Sequence, residues 1–252
     1  MITGGTSGIG FAIAERFLQE GASSIILVGR SQKRLEAAAA SLQSPEKVQV
    51  LVGDVSEAGS WVRELEKEMT NVDILVNSAG ISISNILPRY EPEDISKILR
   101  TNLEGAIFTS RALMRAAIRS RVRNRNAIDG ETRPASKCII NVSSLLALKA
   151  GTGAVPYAAS KAGVLGLTRS LAVEASASLK DVFIRSNAIV PGYIETPMVS
   201  DFTPSEVERL KNQIPLHRFG IPEEVADAAV FLASNEYANN CVLNLDGGLS
   251  AV

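Results

Sequence analysis

Thr3-Gly4-Gly5-Thr6-Ser7-Gly8-Ile9-Gly10 runs straight into a stretch of helical periodicity, Gly8–Glu20, whose apolar face is Ile9, Ala12, Ile13 and Phe17. Glycines spaced G-x-x-x-G-x-G let a backbone turn tightly and approach a pyrophosphate, and the positive end of the helix dipole stabilises that anion. The segment therefore reads as strand end, glycine turn and helix, with Thr3, Gly4, Thr6, Ser7, Gly8, Ile9 and Gly10 as candidate cofactor-binding residues. Only Met1 and Ile2 precede it, so the strand that should feed the turn is almost absent, as expected of a truncated or misassigned start.

Downstream, β-branched runs at 24–28, 47–52, 72–76, 137–142, 182–188 and 241–245 alternate with helical patterns at 32–42, 56–69, 92–121, 156–178 and 222–233. No repeat or low-complexity segment interrupts them. Such alternation predicts an α/β fold: a single Rossmann-type doubly wound parallel sheet with helices on both faces, spanning 1–252 as one domain. Ligands are then expected beyond the carboxyl ends of the strands.

A chain of 252 residues with 46% hydrophobic content can bury a sizeable core. Its net charge of −1 points to neither nucleic acid nor an anionic membrane as partner. No apolar run approaches the roughly 18 residues of a membrane span, and no leader precedes the glycine motif. The expectation is a cytoplasmic protein, or a mitochondrial one if the start is truncated. Cys138 and Cys241 fall in strands without metal-ligand spacing, so they read as buried thiols and no metal is expected.

The strand ends carry polar groups suited to a dinucleotide. Gly29-Arg30-Ser31 leaves room for a 2′-phosphate and offers a guanidinium fork where a carboxylate would instead accept from a ribose hydroxyl, which favours NADP over NAD. A solvated Arg30 is the plainer alternative. Asp54 suits either the adenine amino group or the N-cap of a helix starting near Ser56. Asn77-Ser78-Ala79-Gly80 ends a strand in small residues that could lie beneath a cofactor. Asn102, a poor helix former, sits mid-helix and could bend it and hold a water near Lys161.

Ser144 to Lys161 carries the chemistry. Tyr157 and Lys161, four apart, stack on one helical face, and the strand Cys138-Ile139-Ile140-Asn141-Val142 delivers Ser143 and Ser144 to its carboxyl end. A phenol titrates near 10 in water; an ammonium about 4 Å away at an effective dielectric of about 20 would supply roughly 4 kcal/mol, or about three pKa units. That would bring Tyr157 close to working pH.

Taken together, T-G-x-x-x-G-x-G, Asp54, N-S-A-G, Asn102, Ser144, Y-x-x-x-K and Pro191-Gly192 resemble the short-chain dehydrogenase/reductase family from Ile2 to Val252. The resemblance implies that Ser144 polarises a carbonyl, Tyr157 transfers the proton, Lys161 lowers the tyrosine pKa and binds the nicotinamide ribose, and Asn102 anchors a relay water. It also implies cofactor contacts at Val55, Asn77, Ala79 and Gly80, and a nicotinamide-binding turn at Pro191, Gly192, Ile194 and Thr196. Ala79-Gly80-Ile81, Asn85-Ile86-Leu87, Ile214-Pro215-Leu216 and Leu245-Asp246-Gly247-Gly248 are most similar to 3-oxoacyl-[acyl-carrier-protein] reductases and related carbonyl reductases.

The implied activity is NADPH-dependent reduction of a carbonyl to a secondary alcohol, on a 3-oxoacyl thioester or similar ketone, by a homotetramer. Polyketide intermediates, quinones and simple ketones are alternative substrates. A redox-inactive cofactor-binding scaffold, acting as a sensor or a non-redox pericyclase or isomerase, is the alternative function. Relatives of this kind dock an acidic carrier on a basic patch, and Arg111, Arg115, Arg119, Arg121, Arg123 and Arg125 crowd the matching region; a solvated helix face would look the same. Val173 stands where another basic docking position is usual. Further departures are a polar insertion within 121–137, Ser78 in place of asparagine, Asn240 in place of glycine, and His217, which has no evident catalytic use. Residues 193–220, with Met198, Asp201, Phe202, Glu206 and Leu210, are expected to form a mobile substrate lid.

Overall fold

The computed structural model describes residues 1–57, 61–124, 136–178, 183–200 and 202–252. Seven strands form one parallel sheet: β1 (Ile2–Thr3), β2 (Ile25–Gly29), β3 (Val48–Val52), β4 (Ile74–Asn77), β5 (Lys137–Val142), β6 (Ile184–Pro191) and β7 (Val242–Leu245). Their order is β3-β2-β1-β4-β5-β6-β7, so the chain works outward from β1 in one direction and then restarts beside it with β4. The crevice at that reversal, beyond the ends of β1 and β4, is where the topology places a ligand. The short strand expected before the glycine turn is present and central: Ile2 pairs with Leu27 on one side and Val76 on the other.

Alternation along the strands divides the core in two. Leu27, Ile140 and Ile189 face helices α1 (Gly8–Gln19), α2 (Gln32–Ser41) and α8 (Pro222–Ser234), while Val28, Leu75 and Ile139 face α3 (Trp61–Glu68), α5 (Gly105–Asn124) and α6 (Val155–Ser178). Strands buried on both sides read as continuous apolar runs, and the sequence of β5 has that form.

Three boundaries depart from the sequence reading. The helix expected at 92–121 is α4 (Pro92–Leu99), a π-helical turn at Arg100–Glu104, and α5. The wide turn falls on Asn102, whose amide bonds outside its own helix and so competes with the regular ladder. The helix after β3 is described only from Trp61 onward. Within 193–220 the chain forms a helix of its own, α7 (Pro204–Gln213), started by a capping box in which Thr203 and Glu206 satisfy each other's backbone. Its Leu210 packs with Ile214 against Leu145, Phe219 and Leu249, so the expected lid has its own small core beside the Ser144 loop. Asp201 and most of the insertion at 121–137 lie outside the described residues, as do the side chains of Arg121, Arg123 and Arg125.

Candidate active site

The glycine turn is built against the end of β4. Thr3 Oγ1 accepts from the backbone N–H groups of Ser78 and Ala79, both at 3.2 Å, which draws the N-S-A-G segment onto the loop. Gly4, at φ +68°, lies so close that an added Cβ would stand 2.8 Å from Ala79 Cα, and one on Gly10 would stand 2.6 Å from the Gly4 carbonyl. Gly8, at φ +56°, packs against Thr196 of the opposite loop. Only glycine meets both demands without strain. Ser7 flanks α1 in extended conformation with no side-chain cap, so among the described residues the first amides of α1, at Gly8, Ile9 and Gly10, have no side-chain acceptor. Thr6, Gly8 and Ile9 line the same half-buried loop. This cradle of close backbone and free amides fits a pyrophosphate.

The neighbouring strand ends complete the crevice. Arg30 follows β2, exposed and without a hydrogen bond or ion pair among the described residues, while Ser31 caps α2 by accepting from Arg34 N–H. Asp54 accepts from both the N–H and the hydroxyl of Ser56, at 2.9 and 2.7 Å. It thus holds a turn, and its other carboxylate oxygen makes no described bond. Val55 is buried, with its Cγ2 where a Cβ on Gly105 would be 2.8 Å away, so it fixes the head of α5.

Asn77 points into the sheet. It joins Thr109 and Ser110 of α5 to Asn141 of β5, which in turn donates to Thr168 of α6 at 3.0 Å. This buried polar chain locks two helices to two strands, and nothing in the local periodicity announces it.

On the far side of the crevice, the Gly192 N–H donates to Leu245 O, and a Cβ on Gly192 would stand 2.8 Å from Asp246. Pro191 ends β6; Ile194 pairs with Gly220, and Thr196 Oγ1 donates to Ile194 O. The expected nicotinamide turn is therefore a tightly held loop facing the glycine turn.

Ser143 and Ser144 divide the work. Ser143 Oγ donates to Lys161 O at 2.8 Å and ties β5 to α6, whereas Ser144 Oγ is turned toward the Tyr157 hydroxyl and also accepts from Leu146 N–H. Asn102 Nδ2 donates to Ile81 O and to Ser160 Oγ, and its Oδ1 accepts from Ile81 N–H at 2.8 Å. Gly80 lets these groups converge: a Cβ there would be 3.3 Å from Lys161 Nζ and 3.4 Å from Asn102 Oδ1. The structure thus brings Asn102, Ser144, Tyr157 and Lys161 together at the ends of β4 and β5.

The electrostatics differ from the sequence expectation. Burial pushes the Tyr157 phenol above its ordinary value, with the Ser144 hydrogen bond as a smaller opposing effect, and burial pulls Lys161 down to about 8. Lys161 Nζ donates to Val142 O at 2.9 Å and sits 5.8 Å from the centre of the tyrosine ring. The ammonium is thus held by a carbonyl, and loss of hydration sets the direction of the phenol's shift.

Sequence reasoning missed the wall of the crevice. Tyr90 OH donates to Ile83 O and to Gly153 O, and Asn85 N–H donates to Gly153 O, which binds the 81–90 loop to the segment leading into Tyr157. Gly153, at φ +80°, was the available signal.

A doubly wound parallel sheet with a glycine cradle at its switch point and a Ser-Tyr-Lys cluster beside it defines a dinucleotide-binding protein of oxidoreductase type. A family model described as enoyl-(acyl carrier protein) reductase matches residues 4–250, and the chain belongs to the short-chain dehydrogenase/reductase family. It is 35% identical to the 3-oxoacyl-[acyl-carrier-protein] reductase FabG of Chlamydia trachomatis, over 99% of this chain and 96% of that protein. It is 36% identical to the FabG of Thermotoga maritima, over the same shares. A solved gluconate 5-dehydrogenase from Burkholderia cenocepacia, in complex with NADP and tartrate, superposes with a TM-score of 0.84 at 29% identity, covering 100% of this chain and 94% of that one.

Proposed function

We propose that this chain reduces a ketone to a secondary alcohol with NADPH, a 3-oxoacyl thioester being its preferred substrate. The observation that carries the reading is the meeting of half-buried Ser144 with buried Tyr157 and Lys161 at the sheet's carboxyl edge. The cofactor supplies the hydride to the carbonyl carbon. Ser144 donates a hydrogen bond to the carbonyl oxygen, and the Tyr157 O–H bond breaks as its proton passes to that oxygen, leaving a phenolate. The raised phenol pKa keeps Tyr157 protonated at neutral pH, which is the form a reduction consumes. Lys161, charged below about pH 8, then stabilises the phenolate. Ile81, Ile83, Leu146 and Ala154 offer an apolar wall to the substrate chain.

The test is NADPH consumption with a panel containing a 3-oxoacyl thioester, an enoyl thioester, a quinone and a keto-sugar acid. Turnover of the oxoacyl thioester with none of the enoyl thioester is expected. Cofactor binding without turnover of any carbonyl would instead favour the redox-inactive scaffold.

NADP(H) is favoured over NAD(H) by the free guanidinium of Arg30. A Cβ on Gly29 would meet Leu35 Cδ2 at 3.4 Å and Thr6 Cγ2 at 3.6 Å, ordinary contacts, so an aspartate fits there. Gly29→Asp with Arg30→Ala is expected to move the kcat/KM preference toward NADH by about 100-fold, through loss of a charged hydrogen bond and gain of a ribose acceptor. A wild type that prefers NADH defeats the assignment.

The acyl group is proposed to arrive on an acidic carrier protein. Arg111, Arg115 and Arg119 are already engaged by Glu66, so this docking rests on the arginines at 121, 123 and 125. Arg121→Glu with Arg125→Glu is expected to raise KM for a carrier-borne substrate several-fold and leave KM for the same acyl group on a short thiol unchanged. Equal effects on both would remove the carrier.

A homotetramer is supported by apolar side chains left outside the core. Ile107 and Ile118 of α5, Val173 of α6, and Phe231 and Val242 along the α8–β7 edge are all exposed. Light scattering should give four subunit masses, and a monomer would refute the assembly.

A further inference from the structure

We propose a second anion site, at the amino-terminal edge of the sheet between α3 and α5, that takes the phosphate of a small phosphorylated molecule. A cavity of about 430 Å³ opens there, lined by Arg63, Glu66, Lys67, Thr70, Arg119 and Ser120. Thr70 precedes β4 and Ser120 lies near the end of α5, so the cavity is at the opposite edge from the glycine turn.

The charge there is out of balance. Glu66 is the single carboxylate in the lining, and its side chain is only 14% exposed. Three guanidinium groups crowd it: Arg119 at 3.0 Å, Arg115 at 3.4 Å and Arg111 at 3.5 Å. Arg119 also donates to the Glu66 carbonyl, at 3.3 Å. Arg63 and Lys67 face the same space and have no ion-pair partner among the described residues.

Spacing makes the imbalance costly. Arg111, Arg115 and Arg119 follow one another at intervals of four on α5, and Arg63 and Lys67 stand four apart on α3. Like charges at that interval destabilise a helix. Three cations, Arg63, Lys67 and Arg119, line the cavity, with Glu66 as the single acid among the lining residues. An arrangement that costs stability locally is expected where function offsets the cost.

The chemistry of the lining selects the ligand. The Arg63 guanidinium presents paired N–H donors that match phosphate oxygens, Lys67 adds a point charge, and the Thr70 and Ser120 hydroxyls can donate to the remaining oxygens. An open pocket of this volume has room for a small molecule carrying the phosphate. Glu66 does not repel such a ligand strongly, because its oxygens are taken up by three arginines.

The test is isothermal titration of inorganic pyrophosphate, at constant ionic strength, into enzyme saturated with NADPH so that the glycine turn is filled. One pyrophosphate per subunit is expected. Arg63→Gln with Lys67→Gln removes two exposed cations and should weaken binding about tenfold or more, since each charged hydrogen bond contributes a factor of that order. NADPH affinity and kcat should not change, and Lys67→Arg should bind as wild type does. Ser120→Asp, which puts a carboxylate in the lining, should abolish binding independently. Absence of heat with the wild-type protein, or equal binding by wild type and the double variant, overturns the site. So does a surface that captures an acidic protein while ignoring pyrophosphate.

Discussion

Tyr157→Phe is expected to lower kcat for carbonyl reduction by about 10³-fold while NADPH affinity changes less than about twofold. The ring is buried among Tyr90, Ile98, Ile81 and Leu146, and phenylalanine keeps every one of those contacts. What disappears is the hydroxyl beside Ser144, which is the proposed proton donor. Pre-steady-state kinetics and fluorescence titration separate the two quantities. A variant that keeps a tenth or more of wild-type kcat would remove Tyr157 from proton transfer.

Lys161→Met is expected to damage both kcat and cofactor affinity, yet to make the apo protein more stable at pH 7. Lys161 titrates near 8 in the fold and near 10.5 when exposed, so between those values the unfolded chain binds more protons than the native one. Stability therefore rises as pH climbs through that window, and below it the buried ammonium costs up to about 3 kcal/mol. Loss of the bond from Nζ to Val142 O offsets part of the gain, leaving about 1–2 kcal/mol, or roughly 3 °C or more in Tm. A fall in Tm would mean that the ammonium contributes net stability. For the same reason, wild-type kcat/KM for reduction should decline above about pH 8, where the ammonium is lost. A profile that stays flat from pH 7 to 9 would disconnect Lys161 from the reaction.

The apolar periodicities and the glycine turn were enough to specify a doubly wound parallel sheet, because burial on both faces leaves its mark on every strand and helix. Tyr157 and Lys161 were legible as neighbours because four residues make one helical turn, and the glycines because close backbone approach excludes every other side chain. The sequence was also informative about Arg30, a charge at a strand end whose position follows from topology.

Other features depend on groups distant in the chain. Ser143 and Ser144 are adjacent and chemically alike; only the docking of α6 against β5 turns one toward Lys161 O and the other toward Tyr157. Glu66 lies 45 residues from Arg111, and no local pattern announces that three arginines of α5 will gather on it. The π-helical turn at Asn102 forms because the amide finds Ile81 and Ser160 in neighbouring elements. The direction of the Tyr157 shift is opposite to the sequence expectation for the same reason. Spacing sets how near two side chains can lie, but desolvation and the carbonyl that captures the ammonium exist only once α6 is packed against the sheet.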